Sequence, residues 1–284
     1  MTVVRAPATT ANLGAGFDAL GLAVGRSFEL GLDAAASDAD VAAPEHPAAR
    51  AFAAAGGSGP IAVRSDFPPG RGLGFSGAAR VAAVIAAAVQ RGEDWANHKA
   101  ELLAVAVDLE GHADNAAAAM FGGLVVTAGE RSVQVPAAPG FEPQVLAWIP
   151  DRETSTKRSR TSLPTSVSLE DAVFNLGRAA MFVAAWSSGT AAAFSNATED
   201  RWHQSQRLIE VPDSAAVLTT LRARGVPAWL SGSGPTVAAL VVDAAAAAEC
   251  RAALETTSGG RTEVLPIDHV GASVDFDRSH RSWS

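Results

Sequence analysis

Cysteine is nearly absent. Cys250 is the one cysteine in 284 residues, which excludes an intramolecular disulfide and any cysteine-cluster metal site. A lone cysteine in an alanine-rich stretch reads as a small buried hydrophobe. Lysine is almost as scarce: Lys99 and Lys157 are the lysines among 22 basic residues. A lysine nucleophile or phosphate clamp therefore has two candidates, and arginine must do most of the anion binding, a task its planar fork suits. Positive charge is not in excess either. A net charge of −8 argues against the basic patch that nucleic-acid binding requires. No uncharged apolar run of about 18 residues occurs, and the opening Met1-Thr-Val-Val-Arg-Ala-Pro7 has no apolar signal core. The expectation is a cytoplasmic protein with neither a membrane nor a nucleic-acid partner. A hydrophobic content of 48% with 18% charged residues describes a globular chain, long enough for one large or two medium domains.

Along the chain, Val3–Ala6, Phe28–Asp33 and Ile61–Arg64 read as strands, and 78–91 as a buried helix. Glu101–His112 and Asn115–Phe121 read as helices, the second ending at the helix-stop pair Gly122-Gly123. Strands are expected at Leu124–Ala128, Ser132–Val135 and Gln144–Ile149. After a polar stretch at 151–166, Ser168-Leu-Glu-Asp171 resembles a capping box and opens a helix to about Ser187. A helix at 214–224, strands at Ala228–Ser231 and Thr236–Val242, an alanine-rich helix at 244–257 and a strand at 262–267 complete the pattern. Irregular alternation of this kind predicts an α+β fold of two domains, 1–150 and 151–284, with 271–284 a loose polar tail. The segment 34–56, rich in Ala, Asp and Pro, is the least readable.

The most informative stretch is Pro68-Pro-Gly-Arg-Gly-Leu-Gly-Phe-Ser-Gly-Ala-Ala79, a glycine-rich turn running into an aliphatic helix. Its glycines permit positive φ and close approach of a ligand. The helix start offers unpaired N–H groups and the positive end of its dipole, which together suit an anion and above all a phosphate. Gly72-Leu-Gly74-Phe-Ser-Gly77 fits the dinucleotide fingerprint G-x-G-x-x-G, with Glu93 placed for a ribose contact. Pro68 to Arg71, however, intervene between the strand and the glycines, where that motif needs a short turn. A P-loop needs Lys-Ser/Thr after its last glycine, and Ala78-Ala79 stand there instead. A nucleophile elbow needs G-x-S-x-G, and Ser76 is followed directly by Gly77.

The loop resembles the phosphate motif P-x-x-x-G-L-G-S-S-A-A of the GHMP kinases, the small-molecule kinases that include galactokinase, homoserine kinase, mevalonate kinase and phosphomevalonate kinase. Five further segments agree in order. Pro7 to Gly21 is similar to the N-terminal motif of homoserine kinases, and Glu110-Gly-His-Ala-Asp-Asn115 to their E-G-H-P-D-N segment. Thr156-Lys-Arg-Ser-Arg160 resembles a T-K-x-x-R loop, His203-Gln-Ser-Gln-Arg207 an H-Q-x-x-R segment, and Leu230 to Thr236 the third family motif.

The resemblance implies a two-domain fold, an N-terminal ATP-binding domain and a C-terminal ferredoxin-like α/β sandwich, with the site between them. It implies ATP and Mg2+ as cofactors, L-homoserine as substrate, and a homodimer. A related kinase acting on threonine or another small alcohol, or a non-catalytic relative that binds nucleotide or amino acid, are the alternatives. Pro69, Gly70, Arg71, Gly72, Leu73, Gly74, Phe75, Ser76, Gly77, Ala78 and Ala79 would hold the nucleotide. Ser76 and Glu110 would take the metal, with Asp108 a rival carboxylate. Asn12, Asp18, His112, Asp114, Asn115, Thr156, Arg160 and Arg207 would line the substrate pocket. There the two arginines meet the α-carboxylate, and Asp18 or Asp114 meets the amine or the hydroxyl. Asn12 could equally cap a turn. Asp114, Ser76 and Arg160 are the catalytic candidates, Asp114 either as a base or as an anchor. The chain departs from the family at Phe75, where Ser is usual, at Gly77, where Ala is usual, and at Glu45-His46-Pro47, where an Asn-Leu pair commonly helps hold adenine.

Overall fold

A helix that is apolar all round has to be buried on every side, and α2 (Phe75–Gln90) meets that condition. Its run from Val81 to Ala88 has no solvent exposure. Alanine has the highest helix propensity and the least bulk, so neighbouring elements approach α2 closely. The computed structural model describes residues 2–32, 40–154 and 156–276, with only the backbone at 156–158. Around α2 lie β1 (Thr2–Ala11), β2 (Leu20–Gly31), α1 (Pro47–Ala54), α3 (Lys99–Glu110) and α4 (Asp114–Phe121). The first sheet is completed by β3 (Ala62–Ser65), β4 (Leu124–Ala128) and β5 (Arg131–Val135). β6 (Gln144–Pro150) leaves it for a second sheet. Then follow α5 (Thr156–Thr161), α6 (Leu169–Ser188), α7 (Phe194–Ala197), α8 (Gln204–Leu208) and α9 (Pro212–Arg222). The last elements are β7 (Ala228–Leu230), β8 (Val237–Val241), α10 (Ala244–Leu254), β9 (Gly260–Pro266) and β10 (Ser273–Phe276).

All pairings are antiparallel. The first sheet runs β10-β1-β2-β4-β5, with β3 on β2, and the second runs β7-β8-β6-β9. β6 reads as a continuous apolar run because both of its faces are covered. Val145, Ala147 and Ile149 join the main core, whereas Leu146 and Trp148 join a second core with Val217 and Leu221 of α9 and Cys250 and Leu254 of α10. Cys250 is thus the small buried hydrophobe expected of it. This is the α+β arrangement anticipated from the sequence.

Several elements differ from expectation. β1 and β2 run well beyond the predicted strands. β1 absorbs Pro7, which has no N–H to give, at a register shift between Pro7 and Ala8. The unreadable 34–56 segment contains α1, whose start is capped by a histidine: His46 Nδ1 accepts from the Ala48 N–H, and Pro47 takes the first helical position. Ser168 caps α6 as expected, accepting from the Asp171 N–H and donating to Asp171 Oδ2. The predicted loose tail is corrected in part. Residues 273–276 form β10 on the open edge of β1, pairing Val4 with Val274, because that edge otherwise leaves backbone groups unpaired. Residues 277–284 lie outside the described residues.

Asp275→Pro, opposite Val3, deprives β10 of a ladder donor. The expected cost is about 1–2 kcal/mol, a drop of a few degrees in Tm. Amide exchange should quicken in residues 2–5, whereas unchanged exchange there would refute the role given to β10.

Candidate active site

The glycine loop is held by its carbonyl groups. Gly70 O accepts from Thr154 N at 3.0 Å, Arg71 O from Thr236 N at 3.2 Å, Gly72 O from Ser231 Oγ at 2.5 Å and Leu73 O from Thr9 N at 3.0 Å. In a trans peptide the N–H points opposite to the carbonyl, so the amides that follow are turned the other way. Gly70, Gly72 and Gly74 take positive φ of 65°, 77° and 70°. A Cβ on Gly72 would lie 2.5 Å from Ser231 O, and one on Gly74 would strike Thr9 Oγ1. Among the described residues the N–H groups of Arg71 to Gly77 have no acceptor; the first helical bond is Ala78 N to Gly74 O. α4 starts beside α2, with Gly77 packed against Asn115 and Ala116. Two helix N-termini therefore face one cleft.

That cleft has a volume of about 510 Å³ and brings together Asn12, Asp18, Pro69, Gly70, Gly72, Gly74, Phe75, Ser76, Glu110, His112, Asp114, Asn115, Arg160 and Arg207. These come from loops and helices and from five of the six sequence motifs, with Gly232 and Ser233 adding the sixth. Not every predicted contact lies there. Arg71 turns away to bond Pro150 O and Asp151 O and to pair with Glu153, fastening the loop to the end of β6. Leu73, Ala78 and Ala79 are buried in the core and line no part of the cleft, and the Ala78 N–H is already taken by Gly74 O. Asp108 is exposed and lines no part of the cleft. Thr156 lies where side chains fall outside the described residues.

Each polar side chain has a physical reason for its place. Asn12, at φ 70°, accepts from Asp18 N at 3.1 Å and donates to Gly232 O at 2.8 Å, so it is a turn-former whose side chain joins two motifs. Asp18 and Arg160 form a two-pronged pair at 2.7 and 3.0 Å. Asp114 is buried at the start of α4, and its Oδ1 takes bonds from Asn115 N, Asn115 Nδ2 and His112 Nδ1. No bond falls on its Oδ2 among the described residues. Asn115 in turn accepts from Thr9 Oγ1 at 2.7 Å.

Arg207 is 4% exposed, bonds Gly232 O and His203 Nδ1, and keeps a buried Nε with no partner. Among the described residues no carboxylate pairs with it, and burial, aided by nearby Arg160, brings its pKa down to about 10. His203 donates from Nε2 to Gly14 O, leaving Nδ1 to accept from Arg207. Burial, opposed by Asp200 and reinforced by Arg207, pushes His203 down to about 4, so it is neutral at pH 7. Asp200 caps the segment by accepting from Trp202, His203 and Gln204 N–H groups. The H-Q-x-x-R spacing points to Arg207 alone, whereas in the fold His203, one turn earlier, is what holds it.

Phe75 meets Phe28, Phe67 and His46 edge-on, with ring centroids 5.5–5.9 Å apart, and His46, Pro47 and Phe75 wall one end of the cleft. At the other side of the loop Ser76 Oγ donates to Glu110 Oε2 at 2.9 Å, and the Arg80 guanidinium bonds both. Mg2+ prefers hard oxygen donors, and these two are of that kind. Both are already taken by Arg80, and no cluster of three or more His, Cys, Asp or Glu side chains suited to a metal occurs among the described residues. As they stand, the pair fits a guanidinium and not a divalent cation.

Two family models match this chain: GHMP kinases N terminal domain over residues 42–123 and GHMP kinases C terminal over residues 182–259. The chain belongs to the GHMP kinase family. A homoserine kinase of Streptomyces avermitilis is 40% identical, over 95% of this chain and 94% of its own. One of Moorella thermoacetica is 38% identical over 96% and 100%. The crystal structure of homoserine kinase from Cytophaga hutchinsonii superposes with a TM-score of 0.79 at 25% identity, covering 96% of this chain and 97% of that one. A mevalonate kinase of Methanococcus jannaschii shares the fold, with a TM-score of 0.67 at 12% identity over 93% and 98%. No helix among the described residues of this GHMP kinase is long and apolar enough to cross a membrane.

His203 sets a pH dependence of stability. Between about pH 6.5 and pH 4 the unfolded chain takes up a proton that the folded chain refuses. Stability is therefore lost as pH falls through that window. Denaturant titrations should show a shallower loss in His203→Gln than in the wild type over the same range, and parallel slopes would count against the buried neutral imidazole.

Proposed function

We propose that this chain transfers the γ-phosphoryl group of ATP to the side-chain hydroxyl of L-homoserine, giving O-phospho-L-homoserine and ADP, a step of threonine biosynthesis. The observation that carries the substrate assignment is Arg207: a buried cation, with an unbonded Nε and without an acid partner among the described residues, that lines the same cleft as the amide-rich loop. A buried charge left unpaired is costly, and an amino-acid α-carboxylate satisfies it. The Asp18–Arg160 pair supports the same reading. A zwitterion can enter between its partners, its ammonium going to Asp18 and its carboxylate to the arginines, so that one ion pair is exchanged for two.

The free N–H groups of residues 71–77 and the α2 N-terminus hold the nucleotide phosphates. His46, Pro47 and Phe75 give the nucleobase an apolar wall. A divalent ion accompanying the nucleotide would be held by the phosphates and would share their charge. Asp114, with Oδ2 unbonded, orients the acceptor hydroxyl, and His112 and Asn115 fix its Oδ1. Its second role is to take the hydroxyl proton as the O–P bond forms, a contribution of about 10²–10⁴-fold. A homodimer in the cytoplasm belongs to the same proposal, and light scattering checks the dimer.

Coupled ADP release with homoserine, threonine, serine and mevalonate tests the substrate, and turnover on mevalonate alone would reject it. Asp114→Asn should lower kcat by about 10²-fold or more with little change in the KM for ATP; an unchanged kcat would leave Asp114 as an anchor only. Arg207→Met should raise the KM for homoserine by about 10–100-fold while that for ATP moves little. Equal changes in both would remove Arg207 from the carboxylate site.

A further inference from the structure

Arg80 is the one charged residue in α2, whose following residues 81–89 are all alanine, valine or isoleucine. It lies one turn beyond Ser76, and its side chain is 18% exposed. A cation this near the positive end of a helix is disfavoured, and burial lowers its pKa further, with the neighbouring Arg50 adding repulsion. What compensates is Glu110 at the end of α3. Its carboxylate is 9% exposed, and its Oε2 receives both the Arg80 guanidinium and the Ser76 hydroxyl. The other oxygen, Oε1, lies 3.7 Å from His112 Nε2. The guanidinium also bonds Ser76 Oγ. A single fixed positive charge therefore sits on both of the oxygens that face the phosphate loop.

We infer that Arg80 is a resident cation that neutralises Glu110 and contests its oxygens, with those of Ser76, against a divalent metal ion. The inference rests on Ser76 and Glu110 facing the nucleotide's metal. Two consequences follow from charge alone. Without Arg80, a nearly buried carboxylate beside the loop would repel the phosphates, so the arginine keeps the anion site positive before any metal arrives. With Arg80, a divalent ion meets a neutral pair instead of an anion. It must displace the guanidinium or accept a like charge a few ångströms away, and either lowers its affinity. The protein alone then binds the ion weakly, and the nucleotide phosphates must carry it.

The test uses Mn2+, a paramagnetic stand-in for Mg2+, titrated against the full chain by electron paramagnetic resonance. It is run without nucleotide and again with β,γ-methylene-ATP, whose own binding is measured by calorimetry. Arg80→Met and Arg80→Gln, both without charge, should tighten Mn2+ binding by about ten-fold, and Arg80→Lys should stay near the wild type. Restoring wild-type affinity in Arg80→Met/Glu110→Gln would tie the gain to the carboxylate. Two neutral variants guard against one failing to fold, which circular dichroism reports. Unchanged or weaker Mn2+ binding in the neutral variants overturns the inference and makes Arg80 a support for Glu110. If the ATP analogue fails to bind the wild type, the kinase assignment falls, while the nucleotide-free titration still decides the role of Arg80.

Discussion

Four hydrogen bonds to consecutive carbonyl groups govern this molecule. Gly70, Arg71, Gly72 and Leu73 give their carbonyl oxygens to Thr154, Thr236, Ser231 and Thr9, and the amides are left for a ligand as a result. A glycine-rich loop free in solution would sample many arrangements, and ordering it costs roughly 1–2 kcal/mol per residue. Here folding bears that cost before a ligand arrives. The positive φ angles at three glycines are the conformations those bonds demand, and the absent Cβ atoms make room for the segments that supply the donors.

The donors come from different parts of the chain. Thr9 belongs to β1 of the first sheet, whereas Ser231 and Thr236 flank the turn between β7 and β8 of the second. Asn12 repeats the link by donating to Gly232, and Thr10 Oγ1 accepts from Trp229 Nε1 and donates to Ser231 Oγ. The loop thus takes its shape only where the two sheets are joined. Charge is arranged with the same economy. Arg207 is held by a neutral histidine that cannot repel it, and Glu110 is matched by Arg80.

Much of this was legible in the sequence where chemistry is local. The loop, the helix cap at Ser168, the alanine-rich helices and the doubly covered strand β6 follow from residue type and spacing. The six motifs do share one cleft. What escaped depends on long-range pairing or on an unusual cap. α1 begins at a histidine, a residue outside the common N-cap set. β10 is short and polar, and only the vacant edge of β1 makes it a strand. The two departures from the family motif have packing reasons. Phe75 completes an aromatic cluster with Phe28, Phe67 and His46, and Gly77 lets α4 start against α2. Arg71 looked like a phosphate ligand and proved a fastening to β6, because its partners Pro150 and Asp151 are eighty residues distant in sequence.

The pairing of β1 with β10 has a bearing on how the protein is made. β1 is synthesised some 270 residues before its neighbour, while domains otherwise begin to fold during synthesis. Throughout that interval one border of the first sheet presents unpaired backbone groups to whatever is near, the situation in which strands recruit strangers. The residues on that border include Arg5, which later pairs with Glu29 and Asp275. A charge on the waiting strand discourages another nascent chain from docking there. In the finished sheet the same arginine lies between Glu29 of β2 and Asp275 of β10, so the strand that waits longest for its neighbour is tied on both sides.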